Sequence, residues 1–193
     1  MHAFYINLDH RTDRRAEVEK EFEEKGLTVE RFSATQYSPG AIGCNLSHIG
    51  VLTTARGRGY DAVMIFEDDF QFLISKAEWD DLIAKLPSSY DVVMISYNLV
   101  ASTPHDETFH RVQEVQTTSG YIVHSRFYDR LISRWEEGTR LFMANPTMDW
   151  VYILDQYWKP LQADSEWFAY KVRIGKQRPS FSDIAGRFAE RDT

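Results

Sequence analysis

The sequence predicts a mixed α/β fold in one domain, and three observations carry this prediction. Short apolar runs, typical of buried strands, alternate with stretches of helical periodicity through the first half of the chain. The second half adds two neighbouring short strands with a hairpin-like pattern, so the sheet is expected to be mixed. A length of 193 residues and a hydrophobic fraction of 43% are those of one globular domain with a substantial core.

The first half of the chain predicts four strands and three helices. Apolar residues form short runs or alternate with polar ones in the expected strands, at residues 3–8, 27–32, 61–66 and 90–96. Helical spacing of apolar residues predicts the helices, of which Gly26 ends the first, at residues 13–25, 43–56 and 76–86.

The second half is less regular. Residues 97–110 are polar and contain Pro104, which predicts a long loop of the kind that often carries function. Two short strands after it are expected to pair with each other, at residues 112–116 and 119–123. The rest of the chain predicts two helices, a late strand and a polar tail, at residues 126–136, 148–158, 167–174 and from 175 onward.

Charge and cysteine content argue against several classes of protein. A net charge of −7 does not suit non-specific nucleic-acid binding, which normally needs a basic face. Cys44 is the only cysteine, so no intrachain disulfide can form, which fits a reducing compartment. The N-terminal residues lack the apolar segment of a secretory signal, and no stretch approaches the ~20 apolar residues of a membrane helix. We therefore expect a soluble, cytoplasmic protein without an integral membrane segment.

Three consecutive acids, Glu67, Asp68 and Asp69, follow the apolar run at residues 62–66. Acids beside a buried strand repel one another and resist desolvation, so such a triplet often holds a cation. Mg²⁺ and Mn²⁺ prefer oxygen ligands and are often bound by one or two carboxylates together with substrate phosphates. A solvated acidic turn is the alternative.

A second polar group lies at the first strand-to-helix junction. Such a junction presents free backbone N–H groups to an anion, and Arg11 and Arg14 could add bidentate contacts to a phosphate. In the alternative, Asp9 or Thr12 caps the helix and the arginines, Arg15 above all, pair with glutamates one helical turn away.

A third group surrounds the start of the second helix. Gly40 and Gly43 permit a close backbone approach there, and Ser47 and His48 follow one turn later. Cys44 is more consistent with a small buried thiol than with a nucleophile, and His48 alone would usually be structural.

Five motifs, in this order along the chain, resemble the landmarks of glycosyltransferase family 25: YINLDHRTDRR, GAIGCNLSHI, VMIFEDDF, SGYIVHS and QRPSFSDI. That family includes lipopolysaccharide-core galactosyl- and glucosyltransferases and collagen hydroxylysine galactosyltransferases. The resemblance extends over residues 4–184, nearly the whole chain.

The resemblance implies a GT-A fold, in which a Rossmann-like, mainly parallel sheet is flanked by helices. A nucleotide-sugar-binding half would cover residues 1–96 and an acceptor-side half residues 97–193 of a single domain. Members of the family invert the anomeric centre as they move a hexose from a UDP-sugar, typically with Mn²⁺ (or Mg²⁺). The acceptor would be a saccharide, glycolipid or glycoprotein, and a lipid-linked acceptor would bring the protein to a membrane surface.

The resemblance also assigns residues position by position. Asp69 and Asp68 would hold the metal. Glu67 stands where the family's D-x-D motif has an aspartate, and would contact ribose or water. Contacts to the substrate are assigned to Asn7, Asp9, Arg11, Arg14, Gly43, Ser47, His48, Gln177, Ser180 and Ser182.

Asp149 is the candidate general base. Pro146 and Asp149 form a P-x-x-D pattern similar to one that the family carries before a helix. An acid at a helix N-terminus is favourable with the helix dipole, and this is the alternative interpretation. The aromatic residues that follow, including Trp150 and Trp158, suit a core better than a sugar platform. A plain solvated loop is the alternative for the closing motif at residues 177–184.

Two other functions stay open on sequence alone. A catalytically silent nucleotide-sugar-binding domain would carry the same motifs. A metal-dependent phosphoester hydrolase could use the acidic triplet, but the six histidines show no metal-ligand spacing. A glycoside hydrolase would need a second carboxylate facing the first, and no spacing singles one out.

Overall fold

The computed structural model describes residues 1–184 and 186–189, and its centre is a six-stranded sheet. The strands of the chain up to residue 170 are β1 (His2–Asn7), β2 (Glu30–Ser33), β3 (Ala62–Glu67), β4 (Phe70–Phe72), β5 (Val92–Pro104), β6 (Phe109–His124) and β7 (Trp167–Tyr170). The central sheet has the order β2-β1-β3-β6-β5-β7. β1 pairs in parallel with β2 and β3, β5 pairs in parallel with β7, and β6 runs antiparallel to its neighbours. The predicted mixed α/β class is confirmed.

Helices cover both faces of this sheet. They are α1 (Thr12–Lys25), α2 (Gly40–Gly57), α3 (Lys76–Ala84), α4 (Tyr128–Ala144), α5 (Asp149–Tyr152), α6 (Leu154–Tyr157) and α7 (Lys159–Gln162), with a 3-10 turn at Ser125–Phe127. Within the described ranges, none of these helices is long and apolar enough to cross a membrane.

Successive strand residues point to opposite faces, and this alternation produces two cores. Phe4 and Ile65 lie in one cluster, which α2 and α4 cover with residues such as Leu52 and Trp135. Their neighbours along the strands, Tyr5 and Phe66, belong to the other cluster. Helices α1 and α3 cover this second cluster with Phe22, Trp79 and Leu82. The molecule therefore has three layers, with α2 and α4 on one side of the sheet and α1 and α3 on the other.

The long loop expected at residues 97–110 was wrong. β5 and β6 form an extended antiparallel hairpin there, with pairing that continues to Pro104 and His110. Phe109, Val112 and Val115 are buried, and their burial supports the paired backbone. Residues 112–116 and 119–123 were predicted to pair with each other, which was also wrong, because both belong to the single strand β6.

The single helix expected at residues 148–158 is three four-residue helices. The Asn45 side chain causes the first break, because its amide donates to Tyr152 O (3.1 Å) and its carbonyl accepts from Leu154 N (3.2 Å). These two backbone groups are thereby satisfied by α2, and Ile153 between them is extended, with ψ of 149°.

The predicted polar tail contains three short strands. β8 (Gly175–Gln177) pairs with β4, and β9 (Ser180–Ser182) pairs with β10 (Arg187–Ala189). The backbone N–H of Arg178 donates to Asp69 O (2.6 Å). The closing motif is consequently held against the carboxyl end of β3, where the acidic triplet lies.

Candidate functional site

A cavity of about 380 Å³ lies at the carboxyl ends of β1 and β3. In open α/β sheets this edge is where ligands usually bind. Four parts of the chain provide most of the lining: the β1–α1 junction, the start of α2 with the loop before it, the acidic triplet, and the closing segment, which is the motif at residues 177–184. The lining residues include Leu8, His10, Arg14, Thr35, Tyr37, Gly43, Cys44, Ser47, His48, Glu67, Asp68, Asp69, Ser180, Ser182 and Asp183.

The acidic triplet is largely buried and partly neutralised by Arg14. Asp68 and Asp69 are 7% and 8% exposed. One Asp68 oxygen accepts from Asn7 Nδ2 and the other from Arg14 Nη1, both at 2.8 Å. Burial raises the pKa of Asp68, while Arg14 and Asn7 oppose that rise. The triplet is therefore an ordered part of the cavity wall and not the solvated turn that was its alternative.

Asp69 is positioned differently from Asp68. Its carboxylate lies 3.6 Å from Arg14 Nη1, and Gln177 Nε2 makes long contacts with both of its oxygens, at 3.5 and 3.4 Å. It lines the cavity, and a buried carboxylate completed by substrate phosphates is the donor set that Mg²⁺ or Mn²⁺ prefers. The residues present fit a hard divalent cation anchored at Asp69. Both aspartates already accept protein hydrogen bonds through both oxygens, at 2.8 Å for Asp68 and at 3.4–3.5 Å for Asp69, so each would have to share an oxygen with the ion.

Arg11 and Arg14 connect α1 to the closing segment. Arg11 donates to Phe181 O (3.2 Å), forms an ion pair with Asp183, and makes a bidentate pair with Asp13. Arg14 Nη2 donates to Ser180 Oγ (2.6 Å) and Phe181 O (3.0 Å). Both arginines, which we expected at a phosphate, thus hold β9 across one side of the cavity.

The alternative interpretation of the β1–α1 junction, a capped helix with arginine–glutamate pairs, was partly wrong. Arg11 is the N-cap of α1, and neither Asp9 nor Thr12 caps the helix with its side chain. Asp9 instead accepts from Arg31 Nη2 (2.6 Å) and Ser33 Oγ (2.7 Å) at the end of β2. For Arg15 the alternative is confirmed, because its Nε donates to Glu19 at 3.0 Å one turn along the helix.

Gly43 and Ser47 hold the loop before α2. A Cβ on Gly43 would lie 2.4 Å from Thr35 O, so only glycine permits this approach. Ser47 Oγ accepts from Thr35 N (2.8 Å) and donates to Gly43 O (2.7 Å). These contacts fix the loop that carries Tyr37, which is 44% exposed and lines the cavity.

His48 and Glu67 meet inside the cavity wall. His48 is fully buried, its Nδ1 lies 2.7 Å from Tyr121 Oη, and its Nε2 lies 3.4 Å from Glu67 Oε1. Thr118 Oγ1 donates to the same Glu67 oxygen at 2.6 Å. Burial raises the pKa of Tyr121 well above its usual value, so the phenol stays protonated. Cys44 lies one helical turn before His48, and with His48 and Glu67 it forms a group that could hold a metal ion.

A bulge in β6 delivers Thr118 to Glu67. Residues 117–119 of β6 lie opposite the single β5 residue Tyr97, and Thr117 has a φ of 81°. A β-branched residue with positive φ is strained, and such strain is concentrated at functional sites. The N–H of Thr117 donates to Asp155 Oδ2 at 3.1 Å. Burial, with a smaller contribution from the charge of Glu67, raises the pKa of Asp155. Sequence reasoning missed Thr118 and Asp155, since no local pattern predicts a bulge.

Asp149 lies apart from these residues. It is exposed at the start of α5, its Oδ1 accepts from Trp150 N (2.9 Å), and it does not line the cavity. Its role as a base stays a prediction. Trp158 belongs to the core as expected, whereas Trp150 is 66% exposed, which was not expected.

Both of the halves expected from the sequence, residues 1–96 and 97–193, contribute residues to the cavity. The division expected after residue 96 falls inside β5, and the closing segment of the second half lines the same cavity as β1 and β3. The nucleotide-sugar site expected in residues 1–96 would therefore include residues from both halves.

No protein-family model matches the sequence, and no curated protein matches it closely enough to indicate a family. Solved structures are similar in fold. A glycosyltransferase involved in the glycosylation of the major capsid of PBCV-1 is 10% identical, with 95% of each chain covered and a TM-score of 0.57. A197 from STIV is 12% identical over 88% of this chain and 81% of that one, with a TM-score of 0.50. At these identities the likeness concerns architecture, and it shows that the chain has a GT-A-like fold: a mixed, mainly parallel sheet flanked by helices.

Proposed function

We propose that the protein is a glycosyltransferase that moves a hexose, galactose or glucose, from a UDP-sugar to a hydroxyl of a saccharide or glycoconjugate, with inversion at the anomeric carbon. One observation carries the proposal. In a GT-A-like fold, the cavity at the carboxyl ends of β1 and β3 is lined by the acidic triplet and by the closing segment. The five family 25-like motifs support the choice of a UDP-hexose as donor.

In this proposal Asp69 anchors the divalent cation, Mn²⁺ or Mg²⁺, that a diphosphate donor brings into the cavity. When bound, such an ion neutralises charge on the departing diphosphate. Arg14 and Asn7 keep Asp68 paired and so fix the turn that carries Asp69. Tyr37 offers a half-exposed ring on which a nucleobase can stack. Ser180 and Ser182, which line the cavity beside the arginines, supply hydroxyls for the donor.

The transfer requires a base that takes the proton from the acceptor hydroxyl. The P-x-x-D resemblance assigns this role to Asp149, whose carboxylate is exposed at the start of α5 and lies outside the residues that line the cavity. Asp155 is the rival, because the backbone of the bulge donates to its carboxylate and burial raises its pKa, a direction that makes a carboxylate a stronger base.

A donor screen with Asp69→Asn tests the proposal. Release of UDP from UDP-galactose or UDP-glucose is measured with Mn²⁺, with and without saccharide acceptors. We expect turnover of one donor by the wild type and a loss of about 100-fold or more in Asp69→Asn. Asp164→Asn, a substitution of an exposed aspartate that does not line the cavity, is the matched control.

Two results would overturn the assignment. If UDP binds but no donor is ever turned over, the protein is a silent nucleotide-sugar-binding domain. If a phosphoester is hydrolysed and no UDP-sugar is, the hydrolase alternative replaces it.

A further inference from the structure

Cys44, His48 and Glu67 bring three different metal-binding atoms together in the cavity wall. Cys44 and His48 are four residues apart on α2, so their side chains lie on the same face of the helix. Glu67 is the last residue of β3, which packs against that face. The thiol sulfur, an imidazole nitrogen and a carboxylate oxygen all lie within 4.8 Å of one another.

The imidazole of His48 is the second, independent observation. His48 is fully buried, and its Nε2 has no hydrogen-bond partner among residues 1–184 and 186–189. The oxygen 3.4 Å away, Glu67 Oε1, is oriented outside hydrogen-bond geometry. A buried polar atom without a hydrogen-bond partner lowers the stability of the folded state. This nitrogen faces the Glu67 carboxylate, and a cation between them would bind to both.

The surroundings of the three residues resemble the outer contacts of metal ligands. A histidine that binds a metal usually donates its other ring N–H to an oxygen, and the carboxylate ligands are hydrogen-bonded in turn. Tyr121 Oη lies 2.7 Å from Nδ1 of His48, and Thr118 Oγ1 donates to Glu67. With the proton on Nδ1, the Nε2 lone pair faces the negative carboxylate, an arrangement that a cation between them would stabilise.

We propose that Cys44, His48 and Glu67 bind a divalent cation of the zinc class, at a site separate from the oxygen site at Asp69. Sulfur and nitrogen ligands favour Zn²⁺ and Co²⁺ over Mn²⁺ and Mg²⁺. Three protein ligands leave one coordination position open, and all three residues line the cavity. The proposal does not depend on the hexosyl transfer, because the binding of the metal alone tests it.

Titration of the full chain with Co²⁺ and Zn²⁺ tests the site directly. We expect one equivalent of Co²⁺ to give a thiolate-to-cobalt charge-transfer band, and Zn²⁺ to displace it. Cys44→Ser should abolish the band and weaken Zn²⁺ binding by at least about tenfold. Glu67→Gln, which can still accept from Thr118, should weaken binding without loss of the fold.

Two matched controls separate this site from its neighbours. His10→Gln changes an exposed histidine that lines the same cavity, and Asp69→Asn removes the expected oxygen ligand of the other site. Both variants should keep the charge-transfer band.

The proposal is overturned if Zn²⁺ does not bind, if Cys44→Ser keeps the wild-type band, or if Asp69→Asn abolishes Zn²⁺ binding. In the first case, NMR of the imidazole would show a proton on Nε2 directed at Glu67. That result would make the cluster a hydrogen-bonded pair and not a metal site.

Discussion

Replacement of Arg14 by methionine tests whether this guanidinium balances the charge of the acidic triplet. The Arg14 and Asp68 side chains are 12% and 10% exposed and meet at 2.8 Å, and Asp69 lies 3.6 Å away. Two unit charges 4 Å apart interact by about 4 kcal/mol at an effective dielectric constant of 20. Removal of one partner of a buried pair typically costs about 3–5 kcal/mol. We therefore expect Arg14→Met to lower the free energy of unfolding by about 3 kcal/mol at pH 7.

The stability lost in Arg14→Met should depend on pH in a defined direction. The pKa of Asp68 is already raised by burial, so the folded state binds its proton more tightly than the unfolded state does. Such a group favours folding below its unfolded pKa and loses that contribution as pH rises through its folded pKa. Without Arg14 the pKa of Asp68 rises further, and the deficit of the variant should shrink as the pH is lowered from 7 towards 4.

Urea unfolding followed by circular dichroism measures both effects. Asp68→Asn in the Arg14→Met background should recover part of the loss, because it removes the uncompensated charge. Arg15→Met is the matched control, since that arginine makes an exposed pair with Glu19 and its loss should change stability little. If Arg14→Met were as mild as Arg15→Met, or if its deficit grew at low pH, the charge-balance reasoning would be refuted.

Two further predictions concern the loop before α2 and the base. Gly43→Ala should destabilise the protein by about 1–3 kcal/mol, because its Cβ would lie 2.4 Å from Thr35 O. Gly57→Ala is the matched control, because a Cβ at this end of the same helix would meet nothing within 4 Å, and it should stabilise the protein by up to about 1 kcal/mol. Thermal unfolding of both variants measures the difference, and equal changes in stability would contradict the prediction. With the donor and acceptor that the screen identifies, Asp149→Asn should lower kcat by about 100-fold or more at an unchanged KM. Loss of activity in Asp155→Asn, with Asp149→Asn still active, would move the base to Asp155.

Local patterns were sufficient for three of the elements that enclose the cavity, β3, α1 and α2, but not for the closing segment. The apolar run before the triplet predicted β3, which the structure places at Ala62–Glu67, and the expected helices at residues 13–25 and 43–56 correspond to α1 and α2. The helices are buried along one stripe and the strand on both faces, and the periodicity of apolar residues in the sequence directly reflects such burial.

Contacts between distant residues account for what the sequence did not predict. Asn45 breaks a helix more than 100 residues away, and a polar residue inside a helical pattern gives no sign of this. The hairpin of β5 and β6 is stabilised by pairing along its length, whereas its sequence locally resembles a polar loop. The partners of Arg14 at Asp68 and Ser180 are likewise separated from it by 54 and 166 residues. The sequence predicted which charged residues cluster but not which of them neutralise one another.

Isothermal titration of the protein with UDP, in the presence and absence of Mn²⁺, tests the central claim most directly. The cavity at the carboxyl ends of β1 and β3 should bind one UDP, Mn²⁺ should tighten that binding by about tenfold or more, and Asp69→Asn should remove the metal effect while Asp164→Asn keeps it. Absence of UDP binding under both conditions, or a metal effect that survives in Asp69→Asn, would contradict the assignment of this cavity as the donor site.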